Sequence, residues 1–150
     1  KNKRELFFSC LIAEKRELLP QLEIIENFPE EERLRAFLEV TFSFALTASL
    51  TRALLSRRQD FAALIEEIDA TILKNHDQNF TEYVINKLIS PVTHNLDTDD
   101  KKTITNVINL ATLAIGYLPE MAFDLPGQEM RTDEFVRTLA MIIDRGIKNT

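Results

Sequence analysis

Apolar residues recur at intervals of three and four along almost the whole chain, and this spacing constrains the fold more than any other feature. Phe61, Leu64, Ile65, Ile68 and Ile72 form one such series. Side chains at this spacing share one face of an α-helix, whereas a half-buried strand requires alternation. Only three glycines and five prolines interrupt the 150 residues. The sequence therefore predicts an all-α fold, a bundle of about six helices without a strand.

Start and stop signals place these helices within one domain that covers residues 1–150. Asn2 can cap the first helix, with Glu5 completing a capping box, and Pro20 is expected to bend it without ending it. The helix that begins at Asp60 is interpreted as one long helix, with two helices meeting near Asn75 as the alternative. The expected helices cover residues 2–27, 29–50, 50–59, 60–89, 98–118 and 132–145.

Composition narrows the classes of function and the cellular setting. The formal net charge is −6, so we expect the chain alone to bind DNA poorly, because phosphate binding requires clustered Lys and Arg. Cys10 is the single cysteine, which excludes an internal disulfide and is typical of a reducing compartment. No apolar run approaches the ~18–20 residues that span a bilayer. We therefore expect a cytoplasmic protein without a membrane segment.

No pattern of catalytic, metal-binding or cofactor-binding residues stands out. His76 and His94 have no cysteine or histidine partner at metal-ligand spacing. Asp97, Asp99 and Asp100 lack the glycine and distal glutamate of a calcium loop, and a helix start explains them better. We therefore predict that the chain is not an enzyme and has no metal site and no cofactor.

Several polar side chains interrupt otherwise apolar helices, and two interpretations of them remain open. The hydroxyls can bond back to the preceding helical turn, with Asn109 meeting a neighbouring helix. Alternatively, apolar walls with a few polar groups surround a ligand cavity. In the second case the candidate ligand-binding residues are Phe42, Phe44, Thr47, Phe61, Asn109 and Tyr117.

The helices expected at 98–118 and 132–145 are each apolar on more than one side. One side can pack on the domain's own core, and the other predicts a homodimer, because large exposed apolar patches usually mark interfaces. The small residues Ala111 and Ala114 would set how closely two copies approach. The candidate interface residues are Ile104, Ile108, Ala111, Ile115, Phe135, Leu139 and Ile142.

The opening stretch KNKRELFFSCLIAEKREL resembles the segment that ends the DNA-binding unit of TetR/AcrR-type bacterial repressors. The match is carried by Asn2, Lys3, Leu6 and Phe7, and the order of the following helices is similar in layout, up to the closing MIIDRGI. The resemblance implies the C-terminal effector-binding and dimerisation domain, with residues 1–8 as the junction to an absent helix-turn-helix head. It also implies a phosphate contact by Lys3 in the full-length protein and a four-helix dimer interface.

The sequence leads to two hypotheses about the function of the chain. In the first, the chain senses a small hydrophobic effector for a TetR-like regulator and controls DNA binding by the head. Its partners would be a second copy, an unidentified effector and DNA through the head alone, with no membrane. The alternative is a helical interaction or scaffold domain with no small-molecule ligand.

Overall fold

The computed structural model describes residues 3–48, 82–93, 95–118, 120–124, 126–127 and 130–150. These residues are mostly helical and contain no strand, which confirms the all-α prediction for this part of the chain. The expected helix at 50–59 lies outside the described residues, as does most of the helix at 60–89. The α-helices are α1 (Lys3–Arg16), α2 (Leu19–Ile25), α3 (Glu30–Thr47), α4 (Thr98–Gly116) and α5 (Thr132–Lys148).

Shorter helical segments join some of these elements. The end of the predicted 60–89 helix is π-helical, over Val84–Ile89. A 3-10 turn at Ser90–Val92 follows it directly, and another lies at Glu120–Phe123. Ser90, directly before Pro91, keeps helical dihedral angles (φ −56°, ψ −38°), although proline ordinarily disfavours the α region for the residue that precedes it.

The expected first helix is two helices, so the prediction of a single helix bent at Pro20 was wrong. α1 ends at Arg16, and Pro20 lies in the first turn of α2. Proline at this point clashes with the carbonyl four residues earlier, which belongs to Arg16, but is well tolerated in a first turn. In the turn between the helices, the Glu17 N–H donates to the Glu14 carbonyl oxygen (N···O 3.2 Å).

α3 is the central helix of the described fold. It packs against α2, the π-helical segment, α4 and α5. Its acidic first turn, Glu30 to Glu32, places negative charge at the positive end of the helix dipole. The buried side chains of α3 are Leu34, Phe37, Leu38, Thr41, Phe42, Ala45 and Leu46.

α4 and α5 complete the core from the carboxyl-terminal part of the chain. Asp97 caps α4, because its side chain accepts hydrogen bonds from the N–H groups of Asp99 (2.9 Å) and Asp100 (2.8 Å). α5 begins at Thr132 as expected but continues three residues beyond the predicted end, to Lys148. The buried residues of these two helices that join the core are Ile108, Ile115, Val136, Ala140 and Ile147.

Lys148 links the end of α5 to the start of α3. Lys148 Nζ lies 2.8 Å from Oδ2 of Asp144 and also donates a hydrogen bond to the Glu31 carbonyl oxygen. Asp144 is only 5% exposed, and its Oδ1 has no hydrogen-bond partner within the described part of the chain. Lys148 therefore neutralises a buried carboxylate and links two distant helix ends at the same time.

Candidate ligand clefts and an exposed helix face

Two clefts open beside the carboxyl-terminal end of α3. The α1 cleft lies between α1–α2 and α3 and has a volume of about 490 Å³. The α5 cleft lies between α3, the α4–α5 connection and α5, with a volume of about 740 Å³. Ser43 and Thr47 line both clefts. Both volumes fall within the range of small-molecule sites, roughly 300–1,000 Å³.

The α1 cleft is bounded by the first two helices on one side and by the central helix, α3, on the other. α3 ends here because Ala48 adopts an extended conformation (φ −69°, ψ 97°). On the α3 side, the half-buried Phe44 and the buried Ala48 form the apolar part of the wall, beside the hydroxyls of Ser43 and Thr47. The residues that line the α1 cleft are Cys10, Ala13, Glu14, Glu17, Gln21, Ser43, Phe44, Thr47 and Ala48.

The α5 cleft has an apolar floor, made by the buried side chains of Leu46 and Val136. Its third wall is the connection between α4 and α5. Gly127 turns this connection with φ of +78°, a conformation that glycine adopts without strain. The Met130 N–H donates to the Phe123 carbonyl oxygen (3.3 Å), which brings the two ends of the turn together.

Charged residues form the rim of the α5 cleft. Arg131 Nε lies 3.1 Å from Oδ1 of Asp133, and both side chains are exposed. Desolvation raises the pKa of Asp133, but the charge and hydrogen bonds of Arg131, together with the backbone N–H groups of Asp133 and Glu134, outweigh it, so this pKa lies below its usual value. Asp124 and Glu134 add two further exposed carboxylates to the rim.

Among the described residues, acidic side chains outnumber basic ones in the lining of the two clefts. Five carboxylates of these residues line the clefts, and Arg131 is the one basic side chain among them. The negative end of the α3 dipole lies between them and acts in the same direction. A field of this sign favours a cationic ligand over an anionic one. The five carboxylates belong to Glu14, Glu17, Asp124, Asp133 and Glu134.

The predicted ligand-binding residues do not lie together in the described structure. Thr47 lines both clefts and Phe44 lines the α1 cleft. Phe42 is fully buried in the core and lines neither cleft. Asn109 and Tyr117 are exposed on α4, away from both clefts, and Phe61 lies outside the described residues.

At several positions the threonine hydroxyls bond back to the preceding helical turn, which is the first of the two interpretations of these polar residues. Thr47 Oγ1 donates to the Ser43 carbonyl oxygen (2.8 Å), and Thr105 and Thr112 bond back to the preceding turn in the same way. Thr41 is the exception, because its buried hydroxyl has no partner among the described residues. Sequence reasoning missed the acidic lining, since its carboxylates come from separate segments that no local spacing connects.

α4 has a second apolar face on the side away from the core, here called the outer face of α4. Val107, Leu110, Leu113 and Tyr117 are 55%, 64%, 44% and 48% exposed. Thr103, Asn106 and Ala114 are also exposed along the same side. Such a continuous apolar stripe at the surface is uncommon on a monomeric protein.

The predicted interface residues of α4 lie on the opposite, inward side. Ile108 and Ile115 are 2% and 3% exposed within the chain's own core, and Ile104 and Ala111 are half-buried against it. In the described structure these four residues therefore pack toward the chain's own core, and the exposed apolar side chains of α4 are Val107, Leu110, Leu113 and Tyr117. The reason is that α4 is apolar on both sides, so its periodicity alone does not show which side faces α3.

The remaining predicted residues lie at or near the surface. Phe135 and Leu139 on α5 are half-buried, and Ile142 is 58% exposed, so they stay predicted contacts. Lys3 is exposed in the first turn of α1.

Further observations concern metals, membranes and known proteins. His76 and His94 are outside the described residues. In the described ranges, no three His, Cys, Asp or Glu side chains are grouped to hold a metal ion. None of the helices in those ranges is long and apolar enough to span a bilayer.

Comparison of the chain with protein-family models, curated proteins and solved structures finds no match to any of them.

Proposed function

We propose that this chain is the effector-sensing and dimerisation domain of a TetR-like transcriptional regulator. A small hydrophobic ligand would control DNA binding by a helix-turn-helix head, and two copies would associate through α4 and α5. The observation that carries the proposal is the α1 cleft, because α1 and the turn after it form one wall and α3 forms the other. In the family that the opening stretch resembles, α1 corresponds to the helix that follows the DNA-binding unit.

A ligand in the α1 cleft would act by binding one arrangement of α1 and α3 more tightly than another. A ligand shifts an equilibrium only through such a difference in affinity. The turn at Glu17 and Leu18 separates α1 from α2, so α1 has a point about which it can reorient. The ligand would contact Cys10 and Glu14 on α1 and Phe44 on α3, and so would couple α1 to the core.

The lining of the clefts supports a ligand with an apolar body and a positive charge. Phe44, Leu46 and Val136 offer apolar contact, while the five carboxylates attract a cation. Tetraphenylphosphonium and tetraphenylborate test this preference, because they have nearly the same size and apolar surface but opposite charge. We expect tetraphenylphosphonium to raise the thermal unfolding midpoint with increasing concentration and tetraphenylborate to leave it unchanged.

A substitution in the shared wall provides the matched control. Ser43 is exposed and lines both clefts, so Ser43→Trp should place an indole ring in their shared wall and narrow them without disturbing the core. This variant should fold normally and lose the stabilisation by tetraphenylphosphonium. Equal stabilisation by the two ions, or stabilisation that persists in the variant, would contradict the proposed site.

The second candidate function is a helical interaction domain without a small ligand. The outer face of α4 favours it, because exposed apolar stripes also bind other proteins. The dispersal of the predicted pocket residues favours it as well. Under this function the chain would self-associate or bind a partner helix, and neither ion would change its unfolding midpoint.

A further inference from the structure

A third cleft, here called the arginine groove, lies between α3 and α5 and has the opposite charge balance to the other two. Its volume is about 420 Å³, within the range of small-molecule sites. Among the described residues three arginines and two carboxylates line it, whereas acidic side chains outnumber basic ones in the α1 and α5 clefts. The residues of the arginine groove are Arg35, Arg131, Asp133, Glu134, Arg137, Thr138 and Met141.

Arg137 is an unpaired cation in this groove. Asp133 and Glu134 precede it by four and three residues, the spacings at which ion pairs form along a helix. Asp133 is instead occupied by Arg131, whose Nε and Nη2 donate to its two carboxylate oxygens at 3.1 and 3.4 Å. Arg137 makes no ion pair or hydrogen bond with any residue that the structure describes. All five N–H donors of its guanidinium therefore remain available to a ligand.

Arg35 supplies a second guanidinium from the opposite helix, and this one is held in place. Its Nε lies 3.0 Å from Oε1 of Glu39, one turn further along α3. Within the described ranges this bond engages one of its five N–H donors, so the two terminal amino groups stay available. A side chain that is already positioned loses less rotamer freedom when it binds a ligand.

Thr138 adds a hydroxyl that is not engaged by its own helix. Most threonines inside the described α-helices donate their hydroxyl to the carbonyl oxygen four residues earlier, as Thr47, Thr103, Thr105 and Thr112 do. Thr138 is exposed in the groove and makes no such bond to any described residue. Its hydroxyl can therefore donate to a ligand oxygen beside Arg137.

We infer that the arginine groove binds a small ligand through a phosphate or carboxylate group, held between Arg35 and Arg137 with a hydrogen bond from Thr138. A guanidinium is a planar fork that matches the oxygens of either group. The half-buried Met141 gives the rest of the ligand an apolar contact. The ligand would bridge α3 and α5.

This site goes beyond the effector proposal, because it lies in another cleft and selects the opposite charge. Arg35, Arg137 and Thr138 line neither the α1 cleft nor the α5 cleft. The chain as a whole has a net charge of −6, which disfavours the general adsorption of anions. Saturable binding of an anion would therefore report a local site.

Calorimetric titration with two probe anions tests the inference. Inorganic pyrophosphate and citrate are added separately to the unmodified chain at an ionic strength of about 0.15 M, held with sodium chloride. We expect saturable one-to-one binding of at least one of them. Binding of pyrophosphate alone would assign a phosphate ligand, and binding of citrate alone a carboxylate ligand. Saturable binding of neither anion would overturn the inference.

A pair of arginine variants locates the site. Arg137→Gln should weaken the anion that binds by about tenfold, because hydrogen bonds to charged groups are lost. Arg145→Gln is the matched control: Arg145 is exposed on the same helix but does not line the groove. It lies eight residues further on, about 12 Å along the axis, beyond the screening length of about 8 Å. Equal weakening by both variants would show a general charge effect and refute the site.

Thr138→Val tests the hydroxyl without changing the branched shape of the side chain. It should weaken the anion roughly three- to tenfold, while Thr103→Val, on the exposed side of α4, should not. An unchanged affinity in Thr138→Val would contradict the hydroxyl contact. Arg137→Gln should still be stabilised by tetraphenylphosphonium, so a failure of the arginine groove and a failure of the effector cleft are distinguishable.

Discussion

The ring of Phe123 meets the ring of Phe135 edge to face, with centroids 5.3 Å apart and 70° between the planes. Phe123 belongs to the connection after α4, and Phe135 to the first turns of α5. Edge-to-face pairs at this distance stabilise by about 0.5–1.5 kcal/mol beyond their buried area. The pair therefore holds the connection against α5 and keeps the wall of the α5 cleft in place.

We expect Phe123→Ala to lower the free energy of unfolding by about 1–3 kcal/mol, since it removes the ring pair and part of the core contact. Phe28→Ala is the control, because Phe28 lies in the turn between α2 and α3, is 40% exposed and is not part of the ring pair. The control should destabilise the chain less than Phe123→Ala. Equal effects of the two substitutions in urea unfolding would show that the ring pair contributes nothing specific.

Replacement of Lys148 should show how much an unpaired buried carboxylate lowers the stability of the fold. Lys148→Met leaves Asp144 without its cation, and we expect a loss of about 1–3 kcal/mol of stability. Lys102→Met is the control, since Lys102 pairs with Asp99, whose side chain is 92% exposed, and such pairs have little measurable effect. If Lys148→Met were as harmless as the control, Asp144 would not depend on this ion pair.

Tyr83 should titrate above its ordinary range. Burial raises the pKa of Tyr83 above 10.0, the negative charge of Glu26 acts in the same direction, and Arg33 opposes them. Because the folded state holds this proton more tightly, the stability it contributes is complete below pH 10 and is lost as the pH rises through the folded pKa.

The chain has two tyrosines, so Tyr117→Phe leaves Tyr83 as the single phenol. Ultraviolet titration of that folded variant should give a midpoint above 10.0, and the urea-unfolded variant should titrate lower. A midpoint in the folded variant at or below that of the unfolded one would contradict the buried position of Tyr83 beside Glu26.

The carboxylates of the α1 cleft should contribute to the binding of an apolar cation. We expect Glu14→Gln combined with Glu17→Gln to weaken tetraphenylphosphonium binding roughly three- to tenfold, as charges at close range allow. Glu30→Gln with Glu32→Gln removes the same number of charges at the other end of α3. Calorimetric titration in which this control pair weakens binding equally would show a general charge effect in place of a site.

Much of the fold follows from periodicity, since α4 and α5 occupy almost their predicted positions and Asp97 caps α4 as its residue type indicates. Periodicity did not decide which apolar side of α4 faces inward, because Val107 and Ile108 are equally apolar and only packing against α3 separates them. The break before Pro20 depended on the steric conflict with Arg16, which an unbroken apolar stripe does not reveal.

Less of the candidate site than of the fold could be predicted from the sequence. Thr47 and Phe44, which line the candidate clefts, were predicted from their position among polar and aromatic residues of one helix, but Phe42 shares that pattern and lies in the core. The carboxylates Glu14 and Glu134 lie on different helices, 120 positions apart in the sequence. Only the folded arrangement brings the two clefts to one end of α3.

The central claim is that a ligand occupies the α1 cleft and contacts α1, and the reactivity of Cys10 tests it most directly. Cys10 is the single cysteine, is exposed, and lines this cleft. The measurement is the rate at which a disulfide reagent modifies Cys10 with and without saturating tetraphenylphosphonium. We predict that the cation slows the reaction in the unmodified chain and leaves the rate unchanged in Ser43→Trp. An unchanged rate in the unmodified chain at saturation would contradict the proposed site.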